Sequence, residues 1–375
     1  MSNSIQCPNC QKQLRTKADV AGKKVKCPGC GATFVAASAP APAVSAPVSI
    51  PRGLVGEMRC SQPHRGTVLY VGFTPDGRSV LSAAGCDLCI SEAGTGREIR
   101  RITAERKING VAMSPDGKLA ITASGVKQGN CAVTMWELAT GREIRRFEGH
   151  QEEVEAVAFS PTGKCIASGS ADGTVRIWGV ASGKELRSFR ISGTASNTPQ
   201  CLAFSPDGFV VAAGIMSSGH DRTIWMWDIQ DGSRIEMSKG LFNVQTEMLP
   251  GVLAMTFMPD GGNILAATDE FCLVRYWNVD SQEFTLSFTP GFLGNCTHSR
   301  PARGVACSTD GDRIGTVGMD NTFRLWDALS FKQIQSFDTS DAQISVAFSP
   351  DARLAVTGGD EGTVRLWALP QTQAK

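Results

Sequence analysis

The sequence predicts an all-β chain: a seven-bladed β-propeller preceded by a small zinc-binding module. Three observations lead there: a strand-and-turn unit that recurs seven times, a pair of Cys-x2-Cys knuckles near the N-terminus, and an uncharged Ala/Pro/Ser stretch between them. The expected organisation is a zinc module at 1–35, a linker at 36–52, the propeller at 53–370 and a tail at 371–375.

The unit is clearest from Gly149 to Trp178. Val154 to Phe159 alternates with the period of a half-buried strand, and Ser160-Pro161-Thr162-Gly163 is a turn signal. A short strand from Cys165, a tight turn at Ala171-Asp172-Gly173 and a third strand ending at Trp178 follow. Asp, Gly and Pro stand where the backbone reverses, because Asp caps its own turn, Gly tolerates positive φ and Pro presets φ.

The first strand's end and its turn recur at Phe73–Gly77, Met113–Gly117, Phe159–Gly163, Phe204–Gly208, Phe257–Gly261, Cys307–Gly311 and Phe348–Ala352, spaced by 40, 46, 45, 53, 50 and 41 residues. A period near that of a four-stranded blade, with strand content throughout, points to a propeller. Trp136, Trp178, Trp227, Trp277, Trp326 and Trp367 close the third strands, and Ser91 stands there in the first copy.

On Gly149-His150, Trp227-Asp228, Trp326-Asp327 and the Ser-Pro-Asp-Gly turns, residues 54–369 resemble WD repeats. Trp136-Glu137, Trp178-Gly179, Trp277-Asn278 and Trp367-Ala368 depart from the Trp-Asp pair. The resemblance implies a hydrogen-bonded chain of His150, Ser168, Asp172 and Trp178 inside the third blade, with His64, His298, Asp221 and Asp320 at matching offsets elsewhere. Blades without the full set are expected to rely on apolar packing. The resemblance also implies that Leu54–Cys60 completes the last blade beside the strand ending at Trp367.

Cys7, Cys10, Cys27 and Cys30 form C-x2-C-x16-C-x2-C, within the spacing of a four-thiolate zinc site. A fully protein-ligated ion has no open position for catalysis, so the expectation is one structural Zn²⁺; two redox Cys-x-x-Cys pairs are the alternative, without the βαβ pattern that would support them. Residues 5–35 also resemble a bacterial zinc-ribbon family, on Cys7-Pro8-Asn9-Cys10, Ala21-Gly22-Lys23-Lys24-Val25 and Cys27-Pro28-Gly29-Cys30. The stretch from Ala36 to Pro51 has no charge and reads as an extended spacer.

Net charge is +1 over 375 residues, but the first 35 carry +5 and the rest −4. The whole chain is therefore no electrostatic magnet for nucleic acid or membrane, while the basic N-terminal module offers weak phosphate contact. No apolar run reaches the length of a membrane helix, no secretory leader opens the sequence, and thirteen cysteines suit reduced thiols, so a soluble cytoplasmic protein is expected.

Catalysis is not expected. A hydrolase triad can be drawn from His150, Ser168 and Asp172, yet these are the structural chain; Cys86-x2-Cys89 lacks a partner pair and reads as packing. His220 adjoins Asp221 in a turn. The period stretches at 189–200, 239–250 and 290–301, and in the turns at 125–130 and 215–220. By the resemblance these loops open on one face, and lengthened loops on a rigid frame carry recognition. Leu241, Phe242, Met248, Leu249, Phe292, Leu293, Arg300 and Arg303 are the candidate partner-binding residues, although the apolar ones equally suit tucking onto the ring's own surface. The expected role is a monomeric scaffold for protein partners, with nucleic-acid association through the basic module as the alternative.

Overall fold

The computed structural model describes residues 3–6, 13–16, 24–27, 30, 33–35, 48–50, 54–125, 131–191, 198–216, 224–235, 251–269, 274–278, 283–287 and 298–371. The chain divides into two compact units, Met1–Ala46 and Pro47–Lys375. In the first, Asn3–Gln6 pairs antiparallel with Gln13–Thr16, and Lys24–Lys26 with Thr33–Val35.

The expected spacer at 36–52 ends sooner than its composition suggests. Val48 and Ile50 pack against the apolar cluster around Val68, Val71 and Val80, and so belong to the second unit. They are the branched apolar side chains at the end of an Ala/Pro/Ser stretch, and burying them removes surface that the small residues do not have.

Among the described residues, the second unit consists of seven four-stranded antiparallel sheets. Sheet 1 is Tyr70–Phe73, Ser79–Ala84, Asp87–Glu92 and Glu98–Thr103; sheet 2 is Ile108–Met113, Leu119–Ser124, Ala132–Glu137 and Arg142–Glu148. Sheet 3 is Val154–Phe159, Cys165–Ser170, Thr174–Gly179 and Glu185–Arg190; sheet 4 is Thr198–Phe204, Val210–Met216, Ile224–Asp228 and Arg234–Ile235. Sheet 5 is Val252–Phe257, Asn263–Thr268, Val274–Asn278 and Glu283–Ser287; sheet 6 is Ala302–Cys307, Arg313–Gly318, Thr322–Asp327 and Gln333–Asp338. Sheet 7 takes Gln343–Phe348, Leu354–Gly359 and Val364–Ala368 from the end of the chain and its fourth strand, Gly56–Ser61, from the beginning.

First strands neighbour first strands in a closed cycle, sheet 7 lying against sheet 1 as each earlier sheet lies against the next. Seven inner strands therefore surround one axis. The middle strands are almost wholly buried, as in Ile166 to Ser170 and Leu354 to Gly359, since neighbouring sheets cover both faces. Outer strands such as Arg142–Glu148 alternate exposed and half-covered positions, and only Phe147 is buried. The apolar clusters sit between sheets, for example Ile177, Phe189, Leu202 and Trp227 between sheets 3 and 4.

The recurrent turns meet one another around the opposite end of the ring from the inter-sheet connections. In six of the seven, Met258 of sheet 5 being the exception, a Ser or Thr hydroxyl accepts a backbone N–H across the turn, as Ser114 Oγ does from Leu119 N–H at 2.9 Å. The Asp caps the same turn, with Lys118 N–H donating to Asp116 Oδ1 at 3.1 Å. The turn glycines have φ between +68° and +78°, and each lies against the turn proline of the preceding sheet, from Pro75 beside Gly117 round to Pro350 beside Gly77. The seventh copy has Ala352 at φ +54°. A Cβ in this region costs roughly 1–2 kcal/mol.

Two outcomes follow from this geometry. Ala352→Gly is expected to raise unfolding stability by about 0.5–1 kcal/mol, the relief of strain being partly offset by the lost buried methyl, as read from the urea midpoint. A chain of residues 47–375 should melt as the full-length ring does, whereas 62–375, which lacks the fourth strand of sheet 7, should melt markedly lower and self-associate in a concentration-dependent way through the exposed edge.

Candidate functional site

The polar chains inside the sheets locate the face on which the connecting loops lie. In sheet 3, His150 enters from the inter-sheet connection. Its Nε2 lies 2.8 Å from Ser168 Oγ on the second strand, and its Nδ1 lies 2.8 Å from Asp172 Oδ2 in the turn between second and third strands. Trp178 Nε1–H donates to the same Ser168 Oγ at 2.8 Å. Connection and turn are thus bonded directly, so both loop classes open at the same end of the sheet.

Asp172 is partly buried, and burial alone would push its carboxyl up. The hydrogen bonds it accepts from His150, Thr174 Oγ1 and Gln151 N–H outweigh that and hold it well below the usual carboxylate range. Sheet 6 repeats the arrangement with His298, Thr316, Asp320 and Trp326 at 2.8 to 2.9 Å, and Asp320 is depressed in the same way. Sheet 1 keeps half of it: His64 Nε2 is 2.8 Å from Ser82 Oγ, but Gly85 stands where the acid would be and Ser91 where the tryptophan would be. Burial, with Arg101 nearby, pushes the His64 imidazole down to about 4.

Sheet 7 has a set that fixed offsets from the turn motif miss. No histidine is present; Gln343, first residue of the inner strand, accepts Thr357 Oγ1–H at 2.7 Å and donates from Nε2 to Asp341 Oδ1 at 3.1 Å. Trp367 Nε1–H donates to Thr357 at 3.0 Å, Thr363 Oγ1–H to Asp341 at 2.6 Å, and Arg365 bridges Asp341 and Glu57 at 2.7 Å each. The expectation that a sheet without the full histidine set relies on apolar packing is therefore corrected here. The sequence signal is the polar pair Asp341-x-Gln343 at the head of the inner strand; the ladder pairs Gln343 with Gly359, and its side chain reaches Thr357 from there.

The triad drawing for a hydrolase does not survive the geometry. Ser168 is fully buried, and its Oγ is engaged by both Trp178 and His150, so no substrate carbonyl reaches it. Cys89 is likewise buried in a strand, and burial pushes its thiol up, while Cys86 sits half-covered in the adjoining turn. His220 and Asp221 lie outside the described residues.

On the loop-bearing end, six of the seven inner strands carry a one-residue bulge at the same register. Bulges re-aim side chains and commonly border functional sites. The extra residues are Asn109, Glu155, Gln200, Leu253, Arg303 and Ile344, and none of them is fully buried. Arg303, a candidate from the sequence, is exposed in this set, and Arg300 is exposed just before its strand. Leu241, Phe242, Met248, Leu249, Phe292 and Leu293 lie outside the described residues.

Of the four thiols proposed as zinc ligands, Cys27 is buried and Cys30 exposed in the connection between Lys24–Lys26 and Thr33–Val35; Cys7 and Cys10 lie outside the described residues. Among the described residues no group of three or more His, Cys, Asp or Glu side chains comes together to hold a metal. No helix among them is long and apolar enough to cross a membrane.

Comparison with known proteins agrees with this architecture. The WD40 family profile (WD domain, G-beta repeat) matches residues 141–179, 183–228, 292–327 and 331–368, four stretches of this chain that are similar to WD repeats. The matches at 141–179, 183–228 and 331–368 run from the fourth strand of one sheet through the third strand of the next, and that at 292–327 covers the first three strands of sheet 6. The chain is 26% identical over 261 residues to transducin beta-like protein 3 of Bos taurus, covering 68% of this chain and 30% of that protein. It is 24% identical over 252 residues to a U3 small nucleolar RNA-associated protein 15 homolog of Xenopus tropicalis, covering 67% of this chain and 44% of that one. The chain thus spans less than half the length of these relatives.

The buried chains make acid stability predictable. Unfolded, His64 takes up a proton near its ordinary pKa of 6.5; folded, it does so only near 4. The unfolded state binds more protons in that window, so stability is level above it and falls by roughly 2–3 kcal/mol as pH drops through it. Asp172 and Asp320 add a second loss below the ordinary carboxylate range. Urea midpoints against pH should show both steps, and His64→Gln should remove the first alone. His150→Ala should cost about 3 kcal/mol at pH 7 by stranding Asp172 and Ser168.

Proposed function

We propose that this protein is a non-catalytic scaffold. On this reading it is a seven-bladed propeller that binds a protein partner across the loop-bearing face, carrying an N-terminal zinc ribbon. The observation that carries the reading is the run of bulges at one register, which gathers Asn109, Glu155, Gln200, Leu253, Arg303 and Ile344 at one end of a closed frame. A mixed polar and apolar set of partly covered residues, with an exposed cation at Arg303 and another at Arg300, suits an acidic, partly apolar protein surface better than a small substrate. Among the described residues the hydroxyls and imidazoles of the polar chains are engaged with one another, which supports a binding role. The matched stretches and the WD-type relatives point the same way.

In this reading Cys7, Cys10, Cys27 and Cys30 hold one structural Zn²⁺. The donor chemistry fits: four soft thiolates on two knuckles, of which Cys27 and Cys30 bracket a short connection between paired strands. The ion would fold a module too small for a core of its own. A reducing cytoplasm is proposed on the unpaired thiols Cys60, Cys86, Cys89, Cys165, Cys201 and Cys307. The basic ribbon, and one relative's name as a small nucleolar RNA-associated protein, keep a nucleic-acid partner as the second reading.

Capture from nuclease-treated host lysate tests the first reading. Full-length protein and residues 47–375 should retain the same defined proteins, and a full-length Arg300→Glu, Arg303→Glu variant should lose them at least tenfold. Retention by the variant, or nucleic acid co-purifying only when residues 1–46 are present, would favour the second. Metal analysis of the purified chain should find one zinc per chain, lost in a Cys27→Ser, Cys30→Ser variant while the ring's melting is unchanged.

A further inference from the structure

Sheet 2 contains a cavity in the place where other sheets hold an imidazole. The connection into sheet 3, residues 149–153, carries His150; the connection into sheet 2, residues 104–107, is one residue shorter and carries none. Ala104 stands nine residues before Met113, as His150 stands before Phe159 and His298 before Cys307. The shortened connection into sheet 7 is compensated by Gln343, but the matching residue in sheet 2 is Ile108, which has nothing to offer a hydroxyl. Two further replacements enlarge the gap. Thr174 and Arg176 of sheet 3 correspond in register to Ala132 and Thr134.

What remains is a cavity of about 200 Å³, lined among others by Thr122, Ala132, Thr134, Trp136, Glu105 and Glu148. At its base Trp136 Nε1–H still donates to Thr122 Oγ1 at 3.0 Å. This is the bond that the histidine-bearing sheets make at 2.8 and 2.9 Å, but here the histidine beyond it is missing. In sheet 3 Asp172 lies at Nδ1 of His150 and Ser168 at Nε2; in the ring tautomer with the proton on Nδ1, Nε2 accepts the Ser168 hydroxyl proton. Thr122, 2% exposed, has the same proton to give and no such acceptor among the described residues. The rim is balanced: Arg146 is bound by Glu105 at 3.1 Å and by Glu143 at 2.8 Å, and Glu148 lies beside them.

We propose that this cavity is a binding site for an unprotonated imidazole ring presented at the loop-bearing face. One ring nitrogen accepts the Thr122 hydroxyl proton, and the opposite N–H meets the carboxylates at the rim. The ring lies against Trp136 and displaces water, which costs little where the water's hydrogen bonds are reproduced. The site does not depend on the scaffold reading. The ring has two possible sources, a free imidazole compound or a histidine side chain.

The test uses the full-length chain at pH 8, where imidazoles are largely neutral, with 4-methylimidazole, the peptide acetyl-Gly-His-Gly-amide and pyrrole as probes. Pyrrole has the ring and the N–H but no acceptor nitrogen. Binding is followed by the Trp136 indole N–H resonance, assigned by its loss in Trp136→Phe, and by the melting temperature. Saturable shifts with 4-methylimidazole, at least tenfold weaker with pyrrole and at least tenfold weaker in Thr122→Val, are expected. Thr134→Arg, which restores the side chain that sheets 3 and 6 carry there, should fill the cavity and abolish the shifts in a chain that still melts cooperatively. Peptide binding in addition would identify a partner's histidine as the source, and binding of the free ring alone a small molecule. No saturable shift with 4-methylimidazole, or equal binding of pyrrole, would overturn the proposal.

Discussion

Everything in the second unit depends on one antiparallel pairing, that of Gly56–Ser61 with Val364–Ala368. Six sheets complete themselves with consecutive strands, but the seventh would present an open edge without the strand from the chain's beginning. The register Leu366 to Arg59 and Trp367 to Glu57 fixes the two ends of the chain against each other. Arg365 secures the joint from inside, holding Glu57 from the first strand and Asp341 from the last connection. Because the cycle is closed, each sheet is packed on both faces, and the edges that remain are the short first and fourth strands of the seven sheets. Three of the four matched stretches begin on a fourth strand for the same reason: the unit of sequence is displaced by one strand from the unit of structure.

Within that frame sheets 2, 3, 6 and 7 meet one problem, a tryptophan N–H and a hydroxyl taken out of water, and they meet it differently. Sheets 3 and 6 use an imidazole backed by a carboxylate. Sheet 7 uses a glutamine amide that bonds the hydroxyl through its oxygen and the acid through its nitrogen, a substitution that preserves donor and acceptor order while moving the acid to the other side of the connection. Sheet 1 keeps the imidazole without the acid, and the uncompensated burial explains why His64 resists protonation. Sheet 2 leaves the hydroxyl with the tryptophan alone.

These differences matter for recognition because they sit at the end of the ring where the connections and the bulged residues gather. The opposite end is occupied by turns that abut one another, proline to glycine, around the cycle. The two ends are therefore unlike in kind: one is self-contacting and the other presents Arg303, Glu155 and their neighbours on strands that cannot move independently. A frame of this rigidity positions side chains without ordering cost at the moment of binding.

The sequence by itself determined the repeat, the number of strand-and-turn copies, the turn chemistry and the histidine chain of sheet 3. It could do so because strand alternation, positive-φ turns and a buried tryptophan demand specific residues at specific spacings. The resemblance also placed the closing strand, Leu54–Cys60, beside the strand ending at Trp367, where Gly56–Ser61 pairs. The tertiary structure decided what depends on residues far apart in the chain. Gln343 takes a histidine's place only because its side chain reaches Thr357 on the neighbouring strand, and Val48 and Ile50 are partly buried only because Val68 and Val71 lie beside them. The cavity of sheet 2 is an absence spread over Ala104, Ala132 and Thr134, three unremarkable residues on three separate segments. No spacing rule registers such a gap, because a void is defined by what surrounds it and not by any residue of its own.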